Sequence, residues 1–553
     1  MDALLCLFSA VIISMTVIPM AWRFAARFGL MDLPNPRKIH ARAIPRVGGW
    51  GIFLGTLIPV LFVAPTTSLI LGYALGAIVL VAFGIWDDFC DIPPRTKIIG
   101  QLLAAGLLIF PGGLWIKKLP FMGLEPVPCV FGIFVTLFAV IGLINAINTS
   151  DGLDGLAGGE SLLSLIVIGL LAHAAGGEDT IIVAAATIGG LLGFLRYNTH
   201  PAWVFMGDAG SQFIGYTLAF LAILLTQNVN PALSPASTLL FLGLPIADLF
   251  AALWYRIADG RRWFQADKNH IHHRLLNLGF RHREAVVMIY GVQTLLVGSA
   301  LLFPYEYDSV VIGIYLSVCA VLFIVLATAE RAGWNLRASP NVGALVANEI
   351  SRPRPSLHTV TFTFVKLAVP AYLLAAAYWA ADIARDFALI SGGVCAALIL
   401  GLIFGRSRHN IVVRVSVYVA TVFSVYFLRA DAPGLSADTI DIIWSVYFVL
   451  LVAAIALAVR YTRNPHVEPG AFAATVHFYT TPMDYLLVLA IIAFYAFGNR
   501  YAQLLNFSPV ILEALILLYG VEMLLDAMGR RLELVTLSAA AALSVFAFKG
   551  LAG

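Results

Sequence analysis

Residues 68–88 read SLILGYALGAIVLVAFGIWDD and hold no charged side chain until the final two aspartates, Asp87 and Asp88. A transmembrane helix needs about 20 consecutive apolar residues. A carboxylate at the edge of a bilayer is costly to desolvate, so a pair of them there is rarely accidental. The stretch therefore predicts a membrane-spanning helix that ends in a candidate functional site.

The rest of the chain has the same apolar character. Its 553 residues are 60% hydrophobic and 12% charged, with a mean hydropathy of +0.91, whereas soluble domains carry about 25% charged residues. This composition predicts an all-α polytopic membrane protein. We expect about eleven transmembrane helices in the first part, near 2–20, 48–65, 68–86, 98–113, 127–146, 161–177, 181–195, 210–227, 236–255, 285–303 and 308–329. About seven more are expected near 361–380, 386–405, 411–428, 437–460, 484–498, 508–526 and 534–550.

The charge pattern sets a topology. Loops rich in Lys and Arg alternate with loops that hold few, which predicts an N-terminus outside the cell membrane and acidic motifs on the cytoplasmic face. A polar, proline-containing stretch predicts a cytoplasmic linker at 331–360. It would join a motif-bearing domain at 1–330 to a further transmembrane region at 361–553 of unknown role. The net charge of +3 gives no reason to expect a nucleic-acid partner, and the five cysteines have no metal-ligand spacing.

Asp87 and Asp88 form the first of four acidic or histidine-rich motifs. Adjacent carboxylates can hold Mg²⁺, or one can accept a proton from an attacking group. A polar helix terminus at the membrane interface is the alternative interpretation.

The second motif is the loop 148–155, NTSDGLDG, which alternates polar side chains with glycine. Glycine lets the backbone approach a ligand closely, and Asn148, Asp151 and Asp154 could read a nucleotide. An Asx-rich turn with a helix cap is the alternative.

The third motif, FMGDAGS at 205–211, places Asp208 where an apolar segment begins. Asp208 is a candidate metal ligand, and Phe205 offers an aromatic platform for a base. The alternative is an acid that favours the helix dipole.

The fourth motif is the histidine loop, His270, His272, His273 and Arg274, within a basic segment. These groups suit phosphate oxygens better than zinc, because neither a cysteine nor a helical histidine pair completes a zinc site. Contact with lipid headgroups is the alternative. Lys38 and Arg46, in an earlier basic loop, could bind an anionic headgroup. Asp248, inside the ninth segment, is expected to face the protein interior.

In this order, the motifs over residues 1–330 resemble those of the polyprenyl-phosphate N-acetylhexosamine-1-phosphate transferases, the superfamily that includes WecA, TagO and MraY. The resemblance implies ten or eleven spans, a cytoplasmic site and a requirement for Mg²⁺, with Mn²⁺ as an alternative. It implies transfer of a sugar 1-phosphate from a UDP-N-acetylhexosamine to a membrane polyprenyl phosphate, giving the polyprenyl-diphosphate-sugar and UMP. Such a reaction is the first membrane step of a cell-envelope glycan. A homodimer is the oligomeric form considered for the chain.

Carried over by residue, the resemblance makes Asp87 and Asp88 the paired aspartates, one of them the candidate base. It makes Asp208, with Asp88, the Mg²⁺ ligands. Asn148, Asp151 and Asp154 match the nucleotide loop, and Phe205 resembles the residue that stacks on uracil. Lys97 and Gln101 match a KxxxQ element. His270, His272 and His273 match the family's histidine loop.

The form of the histidine loop, His-Ile-His-His-Arg, resembles the WecA/TagO type, for which UDP-N-acetylglucosamine is the expected donor. The MraY type has three consecutive histidines, so a MurNAc-pentapeptide-1-phosphate transferase is the less favoured alternative. A transporter or lipid flippase is the rival class, but it predicts acids near the bilayer midplane, whereas most of these lie in loops on one face.

Overall fold

The computed structural model describes residues 2–33, 43–122, 126–258, 260, 269–337, 355–380, 383–404, 411–430, 437–460, 508–527 and 534–552. Within these residues the chain is almost entirely helical, as predicted. A two-stranded antiparallel hairpin, β1 (Met31–Asp32) with β2 (Ile44–Pro45), is the one described sheet.

The described helices fall into two compact units. In the first unit, eleven of the thirteen helices hold 16 or more residues, in agreement with the eleven predicted segments. They are α1 (Asp2–Ala25), α2 (Gly48–Val63), α3 (Ser68–Cys90), α4 (Pro94–Ile109), α5 (Cys129–Ser150), α6 (Leu156–Ala174), α7 (Glu178–Asn198), α8 (Gly207–Leu224), the short α9 (Ser237–Phe241), α10 (Gly243–Ala258), the short α11 (Ile271–Asn277), α12 (His282–Leu302) and α13 (Asp308–Arg331).

The second unit contains six described helices: α14 (Pro355–Trp379), α15 (Arg385–Phe404), α16 (Ile411–Ala430), α17 (Ala437–Arg460), α18 (Ser508–Ala527) and α19 (Leu534–Ala552). The predicted segment 484–498, the fifth of the seven expected in this region, lies outside the described residues. So does most of the proposed linker, whose assignment stays a prediction. Within this unit the Lys549 ammonium donates to the carbonyls of Ala377, Tyr378 and Ala380 at the end of α14, at 3.0, 2.8 and 2.6 Å.

Length and composition make the protein a multi-pass membrane protein. Among the described residues, eleven helices are long and apolar enough to cross a membrane, eight in the first unit and three in the second. Inside a bilayer each backbone N–H and C=O must be bonded within the protein, which a helix achieves without outside partners.

The centre of the first unit is α8. Its residues from Ala209 to Leu224 are buried on all sides, and α2, α3, α5, α6 and α7 pack around it. Small residues permit this crowding, because a β-carbon on Gly84 of α3 would meet the backbone of Ala209. The Tyr73 hydroxyl of α3 also hydrogen-bonds the Thr217 hydroxyl of α8 at 2.9 Å.

The polar motifs lie at the ends of these central helices. Helix α3 ends at Cys90, where Asp91 adopts a left-handed conformation with φ of 47°. Pro94 then opens α4 at a position where its missing N–H costs nothing. Because α3, α4, α5 and α8 pack together, their terminal side chains meet at one place.

Candidate active site

Two carboxylates from different helices share one ammonium group. The Lys97 Nζ in the first turn of α4 lies 2.9 Å from Oδ2 of Asp208 in the first turn of α8. The same nitrogen forms an ion pair with Oδ2 of Asp87 near the end of α3. Asp87 Oδ1 accepts a hydrogen bond from the Ile92 N–H at 2.9 Å. The arrangement gathers two negative charges around a single cation in a largely apolar bundle.

Asp88 has a different environment from its neighbour Asp87. Its two carboxylate oxygens accept hydrogen bonds from the N–H groups of Asp208 and Ala209, at 2.9 and 3.2 Å. It therefore caps the N-terminus of α8, where a negative charge is favourable. Gly207, at φ of 71°, allows this approach, because a β-carbon there would lie 2.7 Å from Asp88 Oδ2. Asp88 thus fixes the position of Asp208.

Amide side chains complete the surroundings of Asp208. The Asn148 side-chain amide, near the end of α5, donates to Asp208 Oδ1 at 2.6 Å and to the Ser211 hydroxyl at 2.8 Å. Farther into the bundle, Gln101 accepts a hydrogen bond from Asn145 at 3.0 Å and donates to Gln212 at 3.3 Å. The KxxxQ element thus has its lysine in the cluster and its glutamine in the packing beneath it.

Asp151 follows α5 directly and is partly exposed. The surrounding protein atoms desolvate its carboxyl, and this desolvation raises its pKa to about 7, with a further contribution from the negative charges of Asp208 and Asp154. The second aspartate of this loop behaves in the opposite way. Burial alone would raise the pKa of Asp154, but its contacts with two histidines and a backbone N–H outweigh burial and lower it.

Those two histidines, His200 and His282, were not among the predicted site residues. The His200 Nδ1 lies 2.7 Å from Asp154 Oδ2, and the Ala202 N–H donates to the same oxygen at 3.0 Å. The His282 ring stacks on that of His200, with centroids 4.1 Å apart. The three possible ligand atoms lie within 4.8 Å of one another. Hydrogen bonds account for this spacing, and they fasten the loop 148–155 to the segment between α7 and α8 and to the first residue of α12.

The histidine loop lies against that same loop. His272 is buried, and a β-carbon on Gly152 would overlap its imidazole. Burial, and then the neighbouring His273, His270 and His282, lower the pKa of His272 well below 6.5. His272 is therefore neutral at pH 7 and supplies a hydrogen-bonding group rather than a positive charge. His273 packs beside it, with ring centroids 4.3 Å apart.

Arg274 is held by an acid outside the predicted motifs. Its Nε and Nη2 donate to the two carboxylate oxygens of Glu330 in α13, both at 2.8 Å, and its guanidinium lies over the Tyr255 ring at 5.5 Å. A bidentate pair of this kind fixes the guanidinium plane. The interaction ties α11 to α13, so Arg274 has a packing role in addition to any role in binding.

The hairpin carries Arg46 and positions Phe205. Arg46 forms an ion pair with Asp32 and lies 3.9 Å from Asp91. The Phe205 N–H donates to the Pro45 carbonyl at 2.8 Å, and the Gly48 N–H donates to the Phe205 carbonyl at 2.9 Å. The backbone of the Phe205 segment is thereby tied to β2 and to the start of α2. Lys38, the other basic residue predicted here, lies outside the described residues.

The donor set suits a hard divalent cation. Oδ2 of Asp87 and Oδ2 of Asp208 already surround a cation, the Lys97 ammonium. Mg²⁺ prefers carboxylate oxygens and keeps other positions for water or phosphate. The two carboxylates can hold Mg²⁺, and Mn²⁺ accepts the same donors.

Comparison with known proteins gives a consistent result. The family model described as "Glycosyl transferase family 4" matches residues 70–226. The undecaprenyl-phosphate alpha-N-acetylglucosaminyl 1-phosphate transferase of Escherichia coli (strain K12) is 35% identical over 52% of this chain and 80% of its own length. The protein of the same name from Yersinia pestis is 34% identical, over 50% of this chain and 77% of its own. The decaprenyl-phosphate N-acetylglucosaminephosphotransferase of Mycolicibacterium smegmatis is 32% identical, over 54% and 82%.

Proposed function

The chain belongs to the polyprenyl-phosphate N-acetylhexosamine-1-phosphate transferases and is a glycosyl-1-phosphate transferase, and from this premise we propose that it transfers N-acetylglucosamine 1-phosphate from UDP-N-acetylglucosamine to a polyprenyl phosphate. UMP is the second product. The N-acetylglucosamine donor follows the names of the relatives and the His-Ile-His-His form of the histidine loop. The observation that carries the proposal is the convergence of Asp87, Lys97 and Asp208 from three helix ends.

The reaction joins two anions. An oxygen of the lipid phosphate forms a bond to the β-phosphorus of the donor, the bond from that phosphorus to the α,β-bridging oxygen breaks, and UMP leaves with the electron pair. Such transfers depend mainly on positioning and on neutralising charge. Asp208 and Asp87, in place of the Asp208 and Asp88 pair that the resemblance implies, would hold the Mg²⁺, because both oxygens of Asp88 accept backbone N–H groups. When bound, Mg²⁺ neutralises negative charge on the diphosphate.

The protein groups then take separate roles. Lys97 offers a positive charge at the same place and can turn from the carboxylates to phosphate oxygens. Of the adjacent aspartates, Asp87 has the direct role, as ligand or as proton acceptor for the lipid phosphate. Asp88 keeps Asp208 in position through the cap of α8. Asn148 orients the Asp208 carboxylate.

The donor-binding roles fall to the two loops. We assign Asp151 and Asp154 to the nucleotide, with Phe205 as its aromatic contact, and His270, His272 and His273 to the diphosphate. Lys38 and Arg46 are assigned to the lipid phosphate. The positive-inside pattern supports a cytoplasmic active site with the N-terminus outside.

The test uses the purified chain in detergent with undecaprenyl phosphate and Mg²⁺, with UMP release as the readout. UDP-N-acetylglucosamine, UDP-N-acetylgalactosamine and UDP-MurNAc-pentapeptide are offered separately. We expect UMP from UDP-N-acetylglucosamine alone, dependent on the lipid and lost with EDTA. UMP from another donor would overturn the sugar assignment. No UMP from any donor, with a monodisperse folded protein, would overturn the transferase and favour transport.

A matched pair of substitutions tests the site. Asp208→Asn should lower kcat on the order of 100-fold or more, because the carboxylate that meets Lys97 is lost. Asp91→Asn makes the same change three residues after Asp88, at a side chain that is 94% exposed, and should retain activity. Equal turnover in the two variants would contradict the role of Asp208.

A further inference from the structure

Asp248 makes two contacts with the histidine loop that no sequence motif suggests. Its Oδ2 lies 2.8 Å from Nδ1 of His270, and both side chains are about 8% exposed. Its Oδ1 accepts the N–H of Ile271, the first residue of α11, at 2.7 Å. One carboxylate in α10 thus holds both a ring and the start of a helix that lies more than twenty residues later in the chain.

These contacts define the protonation of the ring. An ionised carboxylate only accepts hydrogen bonds, so the Nδ1 of His270 carries the proton that lies between them. In the neutral ring, Nε2 is then the unprotonated nitrogen, which can accept a proton or a hydrogen bond. A buried acid of α6, Glu160, interacts electrostatically with Asp248.

The same contacts fix the histidine loop against the loop 148–155. The His270 and His272 rings are nearly parallel, with centroids 5.8 Å apart. His272 in turn packs on Gly152, where no side chain would fit. A displacement of His270 would therefore also shift His272 from the loop that carries Asp151.

We propose that Asp248 is a positioning residue of the transferase, which sets the tautomer and orientation of His270 so that the unprotonated Nε2 can accept the proton of the attacking lipid phosphate. The proposal rests on the proposed function. Asp248 does not touch substrate in this assignment; it acts through His270. A competing explanation is that Asp248 only caps α11 and has no effect on the ring's chemistry.

Asp248→Asn separates these two roles. The asparagine carbonyl can still accept the Ile271 N–H, so the cap survives. Its NH₂ group can only donate to Nδ1, which forces the proton of His270 onto Nε2. We expect a wild-type unfolding midpoint, a KM for UDP-N-acetylglucosamine within about threefold of wild type, and a kcat lower by on the order of 100-fold or more, the usual effect of losing acid–base function. A kcat within a few fold of wild type would overturn the proposal.

The tautomer of His270 is measured directly by NMR, without an activity assay. In ¹⁵N-histidine-labelled protein, the signal assigned by its loss in His270→Gln should show a protonated Nδ1 in the wild type and a protonated Nε2 in Asp248→Asn. An unprotonated Nδ1 in the wild type would overturn the proposal. A wild-type protein that releases no UMP from any donor would overturn the proposed function alone.

A matched control loosens the same short helix from another contact. Glu330→Gln weakens the ion pair between Arg274 in α11 and residue 330 in α13, and it leaves the contact between Asp248 and His270 intact. We expect it to lower the unfolding midpoint and to leave the His270 tautomer unchanged, with a smaller loss of kcat than in Asp248→Asn. An equal loss of kcat in the two variants would favour the capping explanation.

Discussion

The Lys97 ammonium lies 2.9 Å from Asp208 Oδ2 and forms an ion pair with Asp87 as well. Lys97 and Asp208 are 111 residues apart in sequence, and each sits in the first turn of its own helix. Helix ends that are distant in sequence thus bring charged side chains together at one point of the fold. Without a cation between them, the two carboxylates would repel each other in surroundings of low polarity.

Removing that ammonium should make the fold more dependent on a divalent ion. In Lys97→Met we expect a lower unfolding midpoint than wild type in EDTA, and a larger rise on addition of Mg²⁺, because the ion no longer competes with Lys97. The kcat/KM should fall on the order of 100-fold. Thermal unfolding at a fixed scan rate, with and without Mg²⁺, checks the first part.

Lys118→Met is the control, because it makes the same change beyond the far end of α4, away from this cluster. Its Mg²⁺-dependent shift should match that of wild type. If Lys97→Met also shows the wild-type shift, the cation does not bind between Asp87 and Asp208.

Gly152 offers a test of the contact between the two loops. In Gly152→Ala the new methyl would overlap the His272 imidazole, so the histidine loop must move. A shift of about 1 Å in a positioning group can cost on the order of 100-fold in rate. We expect that loss in UMP release. Gly142→Ala, in α5 with open space around its Cα, should keep wild-type activity. Full activity in Gly152→Ala would show that the loops do not act together.

Hydropathy alone was sufficient for most of the described long helices, because span length and lack of charge are local properties. The segment predicted at 210–227 appears as α8 with a turn of π-helix, Leu225–Val229, at its end. The ninth segment, 236–255, is instead broken into α9 and α10 around Leu242 and Gly243. A continuous run of apolar residues does not reveal such a break.

The partners of the motif residues were not predictable in the same way. Asp154 meets His200 and His282, which are 46 and 128 residues later. Neither histidine belongs to an acidic or glycine-rich motif. Their positions gave a usable signal, because His200 and His282 both lie next to helix ends that the charge pattern places on the same membrane face as the acidic loops. The bond between Asp88 and the backbone of α8 depends on helix packing and could not be read from the adjacent aspartates.

The Arg274–Glu330 pair allows a test by charge exchange. Arg274→Glu should lower the unfolding midpoint and the activity, because two carboxylates then face each other across α11 and α13. The double variant Arg274→Glu with Glu330→Arg restores opposite charges and should recover most of the midpoint. If packing is the main role of Arg274, activity should recover with it. Recovery of the midpoint without activity would instead assign Arg274 to substrate binding.

His272 should make stability depend on pH. Its pKa in the folded protein lies well below the ordinary 6.5, so below pH 6.5 the unfolded chain binds more protons than the folded one. The free energy of unfolding that depends on a neutral His272 is fully present above pH 6.5. It is lost as the pH falls toward the folded pKa, by at most about 1.4 kcal/mol per pH unit. We therefore expect the wild-type unfolding midpoint to drop between pH 7 and pH 5. His272→Gln has no imidazole to protonate there and should show a shallower drop. His173→Gln, at the far end of α6, is the matched control and should follow the wild-type curve. Parallel curves for wild type and His272→Gln would mean that the His272 ring is not held neutral by its burial against Gly152.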